Sequence, residues 1–330
     1  MIFGRNLVNF IAIFLTTRQC YEPQIKHCAK PQHVSTNFMN DIFNNNIYPH
    51  EGKIKEHFKD FYDSVFVAFL PFFQVDRQPN DKANLKKAKH ITYEEARQEM
   101  EFLKDIPKPN AEIYSYSNNE YPTDKEIFDS GQAISWDAII KGSGLKDYSE
   151  LNKALRTSIG ALRQVFRRPE LTEKLNNYTT NQSIWHPTEG GFDILSKVAI
   201  YKAFKLLDKN EIIVINEFYE TTLTLELDKL TEFEFSEKVG YKDYYIYSSD
   251  KELLFTIEWD SFFFLIATGQ EKMNKIISSN LFEGFICNEK TEHTWDYKEG
   301  EIQKSLDIEE KQKILTAKPA TKKQWWKFWD

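Results

Sequence analysis

Near its carboxyl end the sequence carries EGFICNEKTEHTWDY, a run that offers Glu283, Cys287, Glu289, His293 and Asp296. Cys287, His293 and Asp296 are the side-chain types of a thiol nucleophile, the base that lowers its pKa and the acceptor that orients that base. Glu283, Glu289 and His293 are metal-ligating types, although their spacing matches no recognised site. Nucleophile and base usually meet in space and not along one loop. Cys287 also follows Phe285 and Ile286 at the end of an expected strand, where a thiol serves equally as a small buried hydrophobe. His186 is a second acid–base candidate. It lies in Trp185-His186-Pro187-Thr188-Glu189-Gly190-Gly191, where two glycines let a ligand approach the backbone. Such a histidine serves as readily as a structural hydrogen-bonding group. Cys20, His27, Cys28 and His33 form a set of metal-ligating types, yet adjacent His27 and Cys28 cannot readily reach one ion and the spacing is not that of a zinc site. No nucleotide loop, metal signature or nucleophile elbow is present, so no cofactor is expected.

These groups need elements to hold them, and the densest apolar alternation runs from Asp243 to Asp296. Tyr244 to Tyr247 and Glu252 to Trp259 predict two strands of a hairpin. Leu253, Phe255, Ile257 and Trp259 fall on a core face, opposite Leu254, Thr256, Glu258 and Asp260. Phe262 to Ala267 predicts a buried strand, Lys272 to Ser279 a helix with Met273, Ile276 and Ile277 inward, and Phe282 to Cys287 a last strand. Upstream, Ile54, Phe58, Phe61 and Tyr62 recur at helical spacing, and a buried strand is expected between Val65 and Phe73. Thr92 and Glu95 form a capping box opening a helix through Ala96, Met100 and Leu103, followed by a loop from Ala111 to Tyr121. Ile134 to Ile140 is a turn or short helix ended by Gly142-Ser143-Gly144. Asp147 and Glu150 then cap a long helix to about Arg168, and a loop follows Asn176. Phe192 to Leu207 is an amphipathic helix, Glu211 to Phe218 and Thr221 to Leu227 are strands, and Leu230 to Val239 fits either type. This succession predicts an α+β fold, a mainly antiparallel sheet with packed helices, in a single main domain over residues 53–297. An N-terminal arm (1–52) precedes it, and a charged linker with a Trp-rich tail (298–330) follows.

The composition of the 330-residue chain, 41% hydrophobic and 15% aromatic, is that of a folded protein with a sizeable core. A net charge of −7 argues against general affinity for nucleic acid or anionic membranes. Three cysteines supply no disulfide framework, which is the pattern of a reducing cytosol. Arg5 and the apolar stretch Leu7 to Leu15 resemble the start of an export signal. Thr16-Thr17-Arg18-Gln19 lacks the small residues of a cleavage site, and the stretch is too short to span a bilayer, so a cytoplasmic location is expected.

Two surfaces suit partners. On the helix opened by Asp147, Lys153, Arg156, Arg163 and Arg167 share one side with Gly160, whose place inside a helix invites an anion or another chain to approach. The tail KKQWWKFWD places Trp325, Trp326, Phe328 and Trp329 among three lysines, the residue types of binding hot spots and too little for stable membrane anchoring.

The runs VFVAFLPFF, SIWHPTEGGF, WDSFFFLIATG and LFEGFICNEKTEHTWDY resemble a family of uncharacterised bacterial proteins known only as a domain of unknown function, over about residues 53–297. The resemblance implies a bacterial, intracellular, one-domain protein and brings no catalytic residues. The expectation is therefore a non-catalytic cytoplasmic interaction protein that binds another protein through its tail and basic helix face. An enzyme using His186 or Cys287, His293 and Asp296 is the alternative, and nucleic-acid binding through the basic face is a further one. Partner identity and oligomeric state are not written in the sequence.

Overall fold

The apolar runs of the second half form adjacent strands of one large sheet, and the helices of the middle third cover it. The computed structural model describes residues 10–14, 43, 46–76, 88–94, 112–116 and 121–316. Cys20, His27, Cys28, His33, Glu95, Ala96, Met100, Leu103, Trp325, Trp326, Phe328 and Trp329 lie outside the described residues.

In chain order the first elements are β1 (Phe10–Phe14), α1 (Ile54–Phe58), β2 (Ser64–Phe69), β3 (Phe72–Gln74), β4 (Ala88–Ile91) and β5 (Glu112–Tyr116). There follow α2 (Asp124–Ser130), β6 (Gln132–Ile134), α3 (Trp136–Ser143), α4 (Tyr148–Ser158), α5 (Pro169–Asn181) and α6 (Ile194–Leu206). The rest comprises β7 (Glu211–Asn216), β8 (Thr222–Glu226), α7 (Glu232–Lys238), β9 (Asp243–Ser248), β10 (Leu253–Ile257), β11 (Phe263–Thr268), α8 (Gln270–Ser278), β12 (Gly284–Ile286) and α9 (Glu301–Thr316).

Seven strands make an antiparallel sheet in the order β12-β2-β11-β10-β9-β7-β8, and β1-β5-β4 and β3-β6 form smaller sheets. The fold is α+β, as the strand-rich succession predicts. β10 departs from the expected one-sided alternation, since all its residues are buried. The register gives the reason. Phe69 and Phe263 share one face, against which Trp136 of α3 stacks at 4.1 Å from Phe69. Phe255 and Phe264 point to the other face, where Phe204 of α6 lies 5.2 Å from Phe255. Helices on both sides convert every position of the central strands β2, β10 and β11 into core, and burying each large apolar side chain contributes about 2–3 kcal/mol. Trp259, Phe61 and Ile277, expected inward, are exposed because each lies beyond or at the rim of its buried face.

Four local expectations are corrected. Residues 112–116 are strand and not loop, paired with both β1 and β4. Ile134 ends a strand, and α3 starts only at Trp136, where the Ser135 hydroxyl accepts from the Ala138 N–H. α5 continues to Asn181, past the loop expected after Asn176. Most consequential, α4 ends at Ser158 and not near Arg168. Gly160 takes φ +75°, its N–H donates to the Thr157 carbonyl, and the Ala161 N–H donates to the Arg156 carbonyl. This is a Schellman cap, so Gly160 is required by the helix end and opens no approach for an anion. Leu230 to Val239 resolves as helix α7, opened by the capping box of Thr231 and Glu234.

Candidate functional site

Antiparallel pairing brings the carboxyl ends of β2, β7 and β10 to the same sheet edge as the amino ends of β9 and β11. Phe69 pairs with Phe263, Ile257 with Phe264, and Ile215 with Tyr245. Turns at that edge escape the core's demand for apolar residues, and polar side chains from distant segments collect there.

Glu258, the first residue after β10, is held by two imidazoles. His50 Nδ1–H donates to its Oε1 at 2.9 Å and His293 Nε2–H to its Oε2 at 2.7 Å. The segment before α1, the β10 turn and the chain after β12 are thereby joined at one carboxylate. Burial pushes the Glu258 carboxyl up, but the hydrogen bonds and charges of His293 and His50 outweigh it and set the pKa below the usual glutamate value. The backbone N–H of His293 donates to the Gly52 carbonyl at 2.8 Å, which fixes the ring's position.

Tyr48 lies beside this array, its ring 5.6 Å from that of His293 and 5.4 Å from that of His50. The residue is 1% exposed, and its hydroxyl has no hydrogen-bond partner among the described residues. Burial raises the phenol well above its usual pKa; the Glu258 charge adds to this and the Arg156 guanidinium opposes it. Tyr48 is held from behind by Tyr219, which accepts the Ile47 N–H at 3.1 Å, stacks on Tyr245 at 4.8 Å and sits at φ +59°. A left-handed conformation is costly for a bulky residue and persists only where surrounding structure enforces it.

Helix α4 carries a further polar group at Asp296. Asp147 accepts the Glu150 N–H and starts the helix, which buries Asn152 and leaves Arg156 partly exposed. Asn152 Nδ2 donates to Asp296 Oδ2 at 3.0 Å, leaving Oδ1 buried without a partner among the described residues. Arg156 Nη1 stands 3.8 Å from Asp296 Oδ2, beyond hydrogen-bond reach, and its buried Nε likewise has no partner among the described residues. A guanidinium carries five donors in a fixed fork, and this one has unfilled capacity.

The rim is acidic and aromatic. Asp260 sits at φ +57°, and Gly190 packs on its turn: the Gly190 N–H donates to the Ser261 carbonyl at 2.9 Å, and a Cβ at Gly190 would meet the Asp260 nitrogen at 3.2 Å. With Gly190 at φ +64°, both conformation and close approach call for glycine. Burial raises the Asp260 carboxyl, Glu189 adds to it, and Arg156 and the Trp259 indole oppose it. Trp259 and Tyr241 are 54% and 46% exposed beside these acids, and the buried Tyr244 hydroxyl has no partner among the described residues.

The side chains singled out in the sequence go to different places. Cys287, His293 and Asp296 do not form a nucleophile array, because each is committed elsewhere. Burial pushes the Cys287 thiol up to about 12, His293 serves Glu258, and Asp296 serves Asn152 and Arg156. Glu283 accepts the N–H groups of Trp136 and Asp137 at 2.6 and 3.0 Å and so caps α3, while Glu289 pairs with Lys55 at 2.5 Å. His186 Nε2 bonds the Thr179 hydroxyl at 2.9 Å and its carbonyl accepts from Tyr121, both structural contacts. The cations expected to share one helix face are split between α4 and the segment beyond it and are answered internally. Lys153 donates to Glu301 at 2.8 Å, Arg163 pairs with Glu309, and Arg167 donates to the Leu162 carbonyl at 2.8 Å. Among the described residues no group of three or more His, Cys, Asp or Glu is arranged to hold a metal ion, and no helix is long and apolar enough to cross a membrane. Tyr48, His50 and Glu258 were missed in the sequence. The available signal was Glu258 and Asp260 alternating with Leu254 on a strand whose other face is wholly apolar.

A family model described as "Protein of unknown function (DUF2711)" matches residues 50–297. The chain is also similar to the uncharacterized protein YwbB of Bacillus subtilis (strain 168), 30% identical over 181 residues that cover 53% of this chain and 77% of that protein. No solved structure matches. The resemblance stated from the sequence is thus borne out. The matched span contains His50, Arg156, Glu258, Asp260, His293 and Asp296.

Proposed function

The chain belongs to the DUF2711 family of proteins of unknown function, and we propose that it binds a small polar molecule at the polar end of its central sheet and performs acid–base chemistry on it. One observation carries this reading. A buried hydroxyl without a partner among the described residues, that of Tyr48, belongs to a ring packed against the two imidazoles that grip the Glu258 carboxylate. Orphaned buried polar groups cost about 1–3 kcal/mol each, and a fold keeps them where a ligand uses them. Glu258 orients His293 in the manner of the acceptor that positions a general base. A cytoplasmic location in a bacterium is part of the proposal, supported by the cysteine usage.

The test is a thermal-shift screen of the full chain against small polar metabolites, run in parallel on Tyr48→Phe. A purely structural tyrosine and a ligand-binding one predict different pairs of results. The expected outcome is a ligand that raises the wild-type Tm and not that of the variant, while the unliganded variant is as stable as wild type or more so. If nothing shifts the wild type, or if every ligand acts equally on both proteins, the reading is wrong.

The tail supports a second reading, docking to a partner protein, because Trp325, Trp326, Phe328 and Trp329 concentrate hot-spot side chains in one short run. Nucleic-acid binding through the basic residues of α4 and the segment after it is not proposed, since Lys153 and Arg163 are already engaged by carboxylates.

A further inference from the structure

Resting on the reading of the tail as a docking segment, we infer that its partner is this protein's own surface: residues 317–330 bind the aromatic, acidic rim that Trp259, Tyr241 and Phe218 form at one end of the central sheet.

Three turns make this rim, and the sheet order sets them side by side. β10, β9 and β7 are consecutive neighbours. The turn after β10 (258–261), the loop before β9 (240–242) and the turn after β7 (217–221) therefore lie in a row. Direct contacts close the row. A Cβ at Gly190 would meet the Trp259 Cα at 3.3 Å, and one at Gly191 would meet the Tyr241 carbonyl oxygen at 3.1 Å, so two consecutive glycines join these turns. The Glu217 N–H donates to the Lys242 carbonyl at 2.8 Å, and the Lys242 ammonium lies 5.8 Å from the centre of the Phe218 ring.

The side chains on this row are those of a binding surface. Phe218, Trp259 and Tyr241 are 58%, 54% and 46% exposed, which makes them the three most exposed large hydrophobic side chains among the described residues. A single exposed apolar residue needs no reason, whereas three large aromatics on adjacent turns mark an interaction site. Glu189, Glu217 and Asp260 belong to the same turns and to the glycine loop that joins them. No ion pair between described residues engages these acids, since His293 and Arg156 pair with Glu258 and Asp296 instead. The register of β9 on β7 passes from Ile215 opposite Tyr245 to Asn216 opposite Asp243 and leaves Tyr244 out. Its hydroxyl and the Glu217 Oε2 are buried without partners among the described residues, a donor and an acceptor left open at the same sheet end.

The tail has the complementary chemistry. Residues 317–330 carry four lysines against one aspartate, with three tryptophans and a phenylalanine between Trp325 and Asp330. Ammonium groups pair with unengaged carboxylates and with aromatic faces, a contact that Lys242 already makes on Phe218. Extended, this length of chain spans up to about 46 Å. That is on the order of the width of a domain of this size, whose radius of gyration is about 20 Å. An acidic partner would meet like charge at the rim, and a purely apolar one would bury its carboxylates unpaired.

Zero-length carbodiimide coupling of the full chain, mapped by mass spectrometry, tests this directly, because it joins only amines and carboxylates in contact. Links from Lys322, Lys323 or Lys327 to Glu189, Glu217 or Asp260 are expected. Product mass separates a tail of the same chain from that of a second copy, and either supports the inference. Trp259→Ala and Phe218→Ala together leave every carboxylate in place and are expected to lower the yield of these links at least about tenfold, the size of a hot-spot truncation. Phe61→Ala is expected to leave the yield unchanged, because Phe61 lies at the other sheet end, where neighbouring Tyr62 donates to the Lys251 carbonyl of the β9–β10 turn. Circular dichroism of each variant reports the fold. Tail lysines coupled only to carboxylates elsewhere, or links that persist in the double variant, overturn the rim as the site. Where no tail lysine couples to this chain, an immobilised peptide of residues 317–330 separates the two readings. Retention of one other protein from the source cell's lysate overturns the self-docking inference alone, and retention of none overturns the docking reading of the tail as well.

Discussion

Glu258 shows how a residue's role follows from what its neighbours do to its charge. Its folded pKa lies below the ordinary glutamate value, so on acidification the unfolded chain takes up the proton first. The stability it contributes is therefore fully present above the ordinary carboxylate range and is lost as pH falls through the lower folded value. Hydrogen bonds to a charged group are worth about 1.5–3 kcal/mol when buried, and partial exposure brings this to the lower end. Glu258→Gln is expected to cost about 1 kcal/mol in urea unfolding at about pH 7 and less at about pH 3, well below the ordinary glutamate value. An equal cost at both pH values would mean that the two histidines do not hold the carboxylate in its charged form. Asp260 and Glu283, whose pKa values are raised, contribute with the opposite sign.

Elements end where local chemistry and tertiary contact agree. For α4 the apolar period continues through Ile159, Leu162 and Phe166, but the backbone turns at Gly160, and Leu162 and Phe166 reach the core from the segment beyond it. A glycine within a periodic stretch reads as a helix interior or a helix end, and only the bonds from Gly160 and Ala161 back to the last turn decide between them. Gly160→Ala meets no atom within 4 Å, so its cost is conformational alone. About 1 kcal/mol of destabilisation is expected, read as a lower urea midpoint with an unchanged slope. A variant as stable as wild type would place Gly160 inside a continuous helix after all. The cap of α3 is the longer-range counterpart, since Glu283 reaches it across 147 residues of sequence and no local pattern announces it.

Across the whole molecule, the segments flanking the expected domain belong to its packing. Ile47 and Tyr48 are core residues, and α9 packs on the Gln164–Phe166 turn and reaches α4 through Glu301, with Lys153 buried between that carboxylate and the Tyr297 ring 4.3 Å away. A chain ended after Thr316 keeps every element described and serves as the reference. Ending it after Tyr297 removes the carboxylate that pairs with Lys153 together with the packing of α9, and is expected to lower the urea midpoint. Equal urea midpoints for the two truncated chains would show that α9 contributes nothing.

The α+β class and the buried strands near the carboxyl end follow from the sequence itself, because alternation, short apolar runs and turn residues are local consequences of backbone geometry. The amphipathic helix at Ile194–Leu206 is legible for the same reason. Cys287, His293 and Asp296 are adjacent in sequence and serve three separate networks. Tyr48, His50, Glu258 and His293 come from three distant segments, and only the packing of the chain before α1 and after β12 on the β10 turn brings them together. Local pattern determines what each segment becomes, whereas only tertiary packing decides which polar groups lose water together, and that shared desolvation gives the site its chemistry.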